Sequence, residues 1–167
     1  MNAAPEFTPP EFTPRDPAFE ARIRASFATQ RYLTLLGTTL ETVRPGYVEM
    51  HLPGRADLHQ QHGYFHGGAI ASVFDSASAY AAFTLIPPHE TILTVEYKLN
   101  LLAPGKGDRL IVRAQVIKPG RTLTVVQADA FGASAESESL CATTIQTLMA
   151  VPERPLTIHD DAKGIID

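Results

Sequence analysis

The chain is 167 residues long and 44% hydrophobic, with a formal net charge of −4 and a pI near 5.8. That length suffices for one domain with its own core, and an acidic chain without a Lys/Arg cluster excludes a phosphate-backbone surface, so no nucleic-acid partner is expected. No apolar run approaches the ~20 residues of a membrane span, and no basic-then-apolar leader is read. The single cysteine, Cys141, gives no disulfide framework, which fits a reducing compartment. A cytoplasmic protein with no membrane partner is expected. Cys141 reads as a buried structural thiol, because no histidine or cation neighbours it in sequence.

Residues 1–15 are proline-dense and carry a tandem duplication, Pro5-Glu6-Phe7-Thr8-Pro9 followed by Pro10-Glu11-Phe12-Thr13-Pro14. This composition predicts a flexible segment, with Phe7 and Phe12 as the groups that would dock if it packs on a neighbour. Asp16-Pro17 reads as a helix start, with Asp16 as the cap. Phe19, Ile23 and Phe27 then recur at helical spacing and mark a face packed on a core. Runs at 39–43 and 47–52 are strand-like and joined by the turn Arg44-Pro45-Gly46. A polar loop over 55–64 leads into one helix over 67–86, stopped by Pro87-Pro88. The rest reads as a meander of four strands. In the first, Leu93, Val95, Tyr97, Leu99 and Leu101 alternate with polar residues at period two. Runs at 110–116, 122–131 and 140–151 follow. Residues 16–151 are expected to form one α+β domain, an antiparallel sheet wrapped around the 67–86 helix, with a polar C-terminal segment over 152–167.

That helix has Asp75 as its sole charged residue. Ile70, Phe74, Ala77 and Ala81 line one face, and Gly68, Ser72, Ser76 and Ala79 the other, so neither face is made for bulk water. The helix is expected to be wrapped on most sides, and a carboxylate held there needs a partner or a chemical task. At the N-terminus, Gly67-Gly68 exposes backbone amides that can polarise an oxygen; the same glycines could serve only close helix-to-sheet packing. Asp75 is a candidate general base or nucleophile, or a structural carboxylate held by Ser or backbone groups. Eight residues of helix separate Gly67 from Asp75 by about 12 Å along the axis. Both therefore act on one small centre only if the site joins two copies of the helix related by a two-fold axis. His59, His62 and His66 have metal-like spacing, but the loop supplies only Asp57 as a further donor, so no metal is expected. His66 reads as a residue that positions the helix start by hydrogen bonds.

His66-Gly67-Gly68, with Gln60 six residues before it, Gly63 three before and Asp75 nine beyond His66, resembles the signature of hotdog-fold acyl-CoA thioesterases. The similarity is to the phenylacetate-degradation (PaaI-like) branch and the related hydroxybenzoyl-CoA thioesterases. It spans roughly residues 33–150, including Leu36-Gly37 and the punctuation at Pro104, Gly107 and Gly120-Arg121. The resemblance implies a hotdog fold, an antiparallel sheet around one long central helix, and hydrolysis of an acyl-CoA to free acid and CoA without a cofactor. It assigns the oxyanion donor to the Gly67 amide, the nucleophile or general base to Asp75 of the opposite subunit, orientation of the site to His66, and a polar contact to Gln60. Many members of the phenylacetate branch carry Asn at the Gln60 position, which leaves the acyl group open. A Thr or Ser that assists in some relatives is Ala79 here, so its role is vacant or falls to Ser76 or Ser78. Gly68 and Ser76 would line the substrate site, and Lys118 and Arg121 would meet the CoA phosphates. Self-association as a homodimer or homotetramer follows from the composite site. The alternative is a hotdog module that binds acyl-CoA as a sensor without catalysis; no DNA-binding segment accompanies it.

Overall fold

The computed structural model describes residues 11–153. The expectations for residues 1–10 and 154–167 lie outside the described residues. Between them run three α-helices, α1 (Phe19–Ala28), α2 (Arg31–Leu36) and α3 (Gly67–Phe83), and six strands. These are β1 (Thr39–Arg44), β2 (Tyr47–Pro53), β3 (Glu90–Leu101), β4 (Arg109–Pro119), β5 (Leu123–Ala133) and β6 (Glu138–Pro152).

The strands form one antiparallel sheet in the order β1-β2-β4-β5-β6-β3. A four-strand meander is therefore corrected. β4, β5 and β6 are sequential neighbours, but β3 crosses over to pair with β6 and becomes an edge. Alternation tells which residues share a face, whereas strand order depends on which long connection crosses the helix.

The sheet curls around α3, the hotdog arrangement. Val48, Met50 and Leu52 of β2 pair with Ala114, Val112 and Leu110 of β4, and all six are fully buried toward the helix. From α3, Ile70, Val73, Phe74, Ala77 and Ala81 meet them. Burying each of the larger of these side chains stabilises the fold by about 1.5–3 kcal/mol. The opposite stripe of α3 (Gly68, Ala71, Ser72, Asp75, Ser76, Ala79) stays half-buried or exposed within one chain. The expectation of a helix wrapped on most sides thus holds for ten buried residues but fails for this stripe. The helix also stops at Phe83, three residues short of the predicted end, in tighter turns over Leu85 and Ile86.

α1 begins at Phe19, not at Asp16-Pro17, and its N-cap is Ala18 without a side-chain cap bond, so Asp16 is not the cap; its carboxylate instead accepts from the Ala18 N–H at 2.9 Å in the turn before the helix. Its other oxygen meets Arg22 Nε at 3.2 Å. That guanidinium also donates to the carbonyls of Ile86 and Pro87 and stacks on Phe83, pinning α1 to the end of α3. The six-residue α2 is too short to show periodicity. Its visible signal is Leu36-Gly37, because Gly37 caps it at φ 75°, where a glycine carries no Cβ penalty.

One irregularity governs the site. Thr94 pairs with Leu148 and Glu96 with Thr147, so Val95 is a β-bulge. An uninterrupted strand would set Leu93 with Tyr97, Leu99 and Leu101. The bulge instead turns Leu93 outward and brings Thr94 onto the helix side with Tyr97, Leu99 and Leu101. Val95, Tyr97 and Leu101 remain about half exposed along this edge, not covered by α3 as the alternation predicts.

Candidate active site

The loop before α3 is folded back on itself. The Gln60 N–H donates to the Tyr64 carbonyl at 2.8 Å, His66 N–H to Leu58 at 2.9 Å, and Phe65 N–H to Gly105 at 3.0 Å. His66 is the N-cap in extended conformation, and its Nδ1 accepts from the Gly68 N–H at 2.9 Å. The imidazole thus satisfies one first-turn donor and leaves the Gly67 N–H without an acceptor among the described residues. Gln60, His66 and Gly67 line one open cleft of about 480 Å³, together with Tyr64, Leu101 and Pro104. Lys106 Nζ lies 5.2 Å from the centroid of the Tyr64 ring, a cation beside that cleft.

Asp75 stands in the middle of α3, on the open stripe and half-exposed rather than deeply buried. Its Oδ1 accepts a 2.6 Å hydrogen bond from Thr94 Oγ1. Ser76 and Ala79 accompany it along a second cleft of about 410 Å³, walled by Tyr32, Tyr80 and Ile92. Ser76 returns its own hydroxyl to the Ser72 carbonyl at 3.1 Å, while Ser78 is fully buried and points away from solvent. Thr94 is the residue that sequence reasoning missed. It lies 19 positions from Asp75 on another element, and only the bulge at Val95 aims it there.

The expected residues therefore fall in four places. Gln60, His66 and Gly67 share one cleft, and Asp75 and Ser76 share another; neither cleft borrows a residue from the other. Gly68 lies exposed between them on the open stripe. Lys118 and Arg121 sit exposed at the β4–β5 turn, with Arg121 on a small third cleft beside Phe12, Leu85 and Glu90. The histidines have separate tasks: His59 packs edge-on against Phe65 at 4.8 Å and His66 caps α3. Cys141 is buried, its thiol donating to the Ala130 carbonyl at 3.3 Å, and burial pushes its pKa up.

A six-stranded antiparallel sheet curled around one long helix is the hotdog fold. Residues 62–137 match the Thioesterase superfamily. A thioesterase family protein from Silicibacter pomeroyi is 44% identical, with 81% of this chain and 99% of that one covered and a TM-score of 0.79. A putative esterase of Saccharolobus solfataricus is 29% identical over 124 residues, 74% of this chain and 80% of that one. The PaaI protein of the phenylacetic acid degradation operon of E. coli is 20% identical, covers 80% of this chain and 93% of its own, and has a TM-score of 0.72, a likeness of fold. The chain belongs to the thioesterase superfamily and is a thioester hydrolase. Among the described residues no helix is long and apolar enough to cross a membrane.

Proposed function

We propose that the protein hydrolyses an acyl-CoA thioester at a site completed by two copies of the chain. The observation that carries this reading is the separation of the Gly67 amide and the Asp75 carboxylate into different clefts of one chain, each beside an uncovered surface. A two-fold pairing through the β3 edge and the open stripe of α3 would cover Val95, Tyr97 and Leu101 and bring one protomer's Gly67 toward the partner subunit's Asp75.

In this arrangement the thioester carbonyl oxygen sits at the α3 N-terminus. The Gly67 N–H and the positive end of the helix stabilise the charge that develops on it. His66 keeps that turn in place through Gly68, and Gln60 offers a polar contact beside the carbonyl. Asp75, its orientation fixed by Thr94, takes a proton from the attacking water, or attacks the carbonyl itself to form a mixed anhydride that water hydrolyses after the thiolate has left. The CoA thiolate then leaves, and no cofactor is required. Lys106, beside the Gly67 cleft, is the proposed phosphate contact; Lys118 and Arg121, at the β4–β5 turn apart from both clefts of one chain, would meet the CoA phosphates only across the subunit pair.

The test is thiol release from a panel of acyl-CoAs by wild type and Asp75→Asn. Loss of turnover by at least a hundredfold, with an unchanged melting temperature, is expected. A variant as fast as wild type would remove Asp75 from the mechanism, and a wild-type monomer in light scattering would remove the composite site.

A further inference from the structure

The two clefts differ in charge. Lys106 stands beside the Gly67 cleft. Among the described residues no Lys, Arg or His lines the Asp75 cleft, whose one charged group is Asp75 itself. Arg22 stacks on Phe83 of that cleft, but its guanidinium is taken by Asp16 and by the carbonyls of Ile86 and Pro87. CoA phosphates entering there would face a carboxylate and no free cation. With the thioester carbonyl between one protomer's Gly67 and the other's Asp75, the CoA arm therefore takes the Gly67 cleft and the acyl arm the Asp75 cleft.

The far end of the Asp75 cleft is built from three neutral groups. Tyr80 lies five residues beyond Asp75, about 7.5 Å further along the helix axis. Bonds of about 1.5 Å advance an extended chain by about 1.25 Å each, so about six carbons cover that distance. The Tyr80 ring is buried, edge-on to Phe27 at 6.2 Å and tilted on Phe83 at 6.4 Å. Burial pushes its phenol above the ordinary 10.0, which keeps it an O–H donor at neutral pH. Its hydroxyl stands 3.4 Å from Ser26 Oγ of α1, a long contact that leaves both able to bond a third group. Gln30, the N-cap residue of α2, adds an amide. Between this end and Asp75, Leu33, Ala79, Phe83 and Ile92 give apolar walls.

An acyl group that reaches this end meets donors and acceptors but no counter-charge. We propose that Tyr80, Ser26 and Gln30 set the acyl selectivity of the site. They favour a compact, uncharged acyl group with a hydrogen-bonding oxygen at its far end, and they reject one that ends in a carboxylate. The proposal rests on the two-subunit reading above and deepens it.

Three six-carbon acyl-CoAs test it: hexanoyl-CoA, ω-hydroxyhexanoyl-CoA and adipoyl-CoA, which end in methyl, hydroxyl and carboxylate. Thiol release gives kcat/KM for wild type, Tyr80→Phe, Gln30→Leu and Asp75→Asn, with melting curves to show that each is folded. Wild type should favour the hydroxyl over the methyl end by about threefold to tenfold, the value of one hydrogen bond. It should disfavour the carboxylate by about a hundredfold, because that charge is desolvated without a partner. Tyr80→Phe, which keeps the ring, and Gln30→Leu, at an exposed position, should each shrink the preference for the hydroxyl. A carboxylate-ended substrate as fast as the methyl-ended one, or a hydroxyl preference unchanged in both variants, would overturn the proposal. Asp75→Asn separates the two levels. If it silences all three substrates while the selectivity fails, only the acyl assignment falls; if it keeps turnover, the catalytic reading falls and takes the proposal with it.

Discussion

Gly67→Pro removes the proposed oxyanion donor and little else. Position 67 is the first residue of α3, where proline is favoured because its absent N–H has no intrahelical partner. The preceding residue must be extended, and His66 already is, at φ −65° and ψ 135°. A Cβ at position 67 would meet the end of the flexible Leu101 side chain at 3.1 Å, which a small rotation relieves. Stability should therefore change by less than about 1 kcal/mol, whereas loss of one oxyanion donor costs about 2.7–4 kcal/mol of transition-state stabilisation. That is a drop in kcat of roughly 10²–10³-fold, measured by thiol release under saturating substrate. Co-expression with Asp75→Asn sharpens the experiment. In a randomly paired dimer population about half the dimers are hybrid, and each hybrid holds one intact composite site, so about a quarter of wild-type activity returns. A folded Gly67→Pro protein with kcat within tenfold of wild type would refute the oxyanion role. Two inactive parents that fail to rescue each other would refute the shared site.

Thr94→Val keeps the shape of the side chain but deletes the 2.6 Å hydrogen bond to Asp75; at a half-exposed carboxylate this is worth about 1.5 kcal/mol, so kcat should fall about tenfold with KM little changed. A kcat within twofold of wild type would show that water replaces the hydroxyl without loss. On the outer face of the sheet, burial raises the pKa of Glu49, but hydrogen bonds from Arg113 at 2.9 Å and His51 at 3.0 Å outweigh it and hold the carboxyl below its ordinary value of 4.5. A depressed folded pKa gives stability that is present above the unfolded value and lost as pH falls through the folded one. Wild type should thus exceed Glu49→Gln by about 1 kcal/mol at pH 6, and the gap should shrink in calorimetric melts as pH falls below the ordinary carboxylate value. A gap independent of pH would contradict this. Finally, iodoacetamide at pH 7.5 should label Cys141 in the native protein far more slowly than after urea unfolding, without inhibiting thiol release, because the thiol is buried and its pKa is raised. Rapid native labelling coupled to inactivation would overturn the structural role.

Much of the protein is decided by local chemistry and could be read from the chain. The spacing of Phe19, Ile23 and Phe27, the turn at Arg44-Pro45-Gly46 and the near charge-free run after Gly67 each follow from nearest-neighbour geometry, and the elements form where those signals lie. The separation of Gly67 from Asp75 also follows from helix rise alone, and it is the reason a single chain cannot bring the two together. What depends on distant pairing was not legible. Nothing in the alternation of β3 reveals that this strand is an edge, because the crossover that places it beside β6 is set by packing over α3. A one-residue bulge leaves no mark in composition, yet it reverses the face of every residue before it and delivers Thr94 to Asp75. Lys118 and Arg121 are adjacent to a turn in sequence, but the turn lies at the Phe12 cleft, apart from both site clefts. Local chemistry along the chain is enough to mark out the helix, the amide at its start and its single acid. Which surfaces stay open around them depends on packing, because exposure is a property of strand order and register and not of any residue alone.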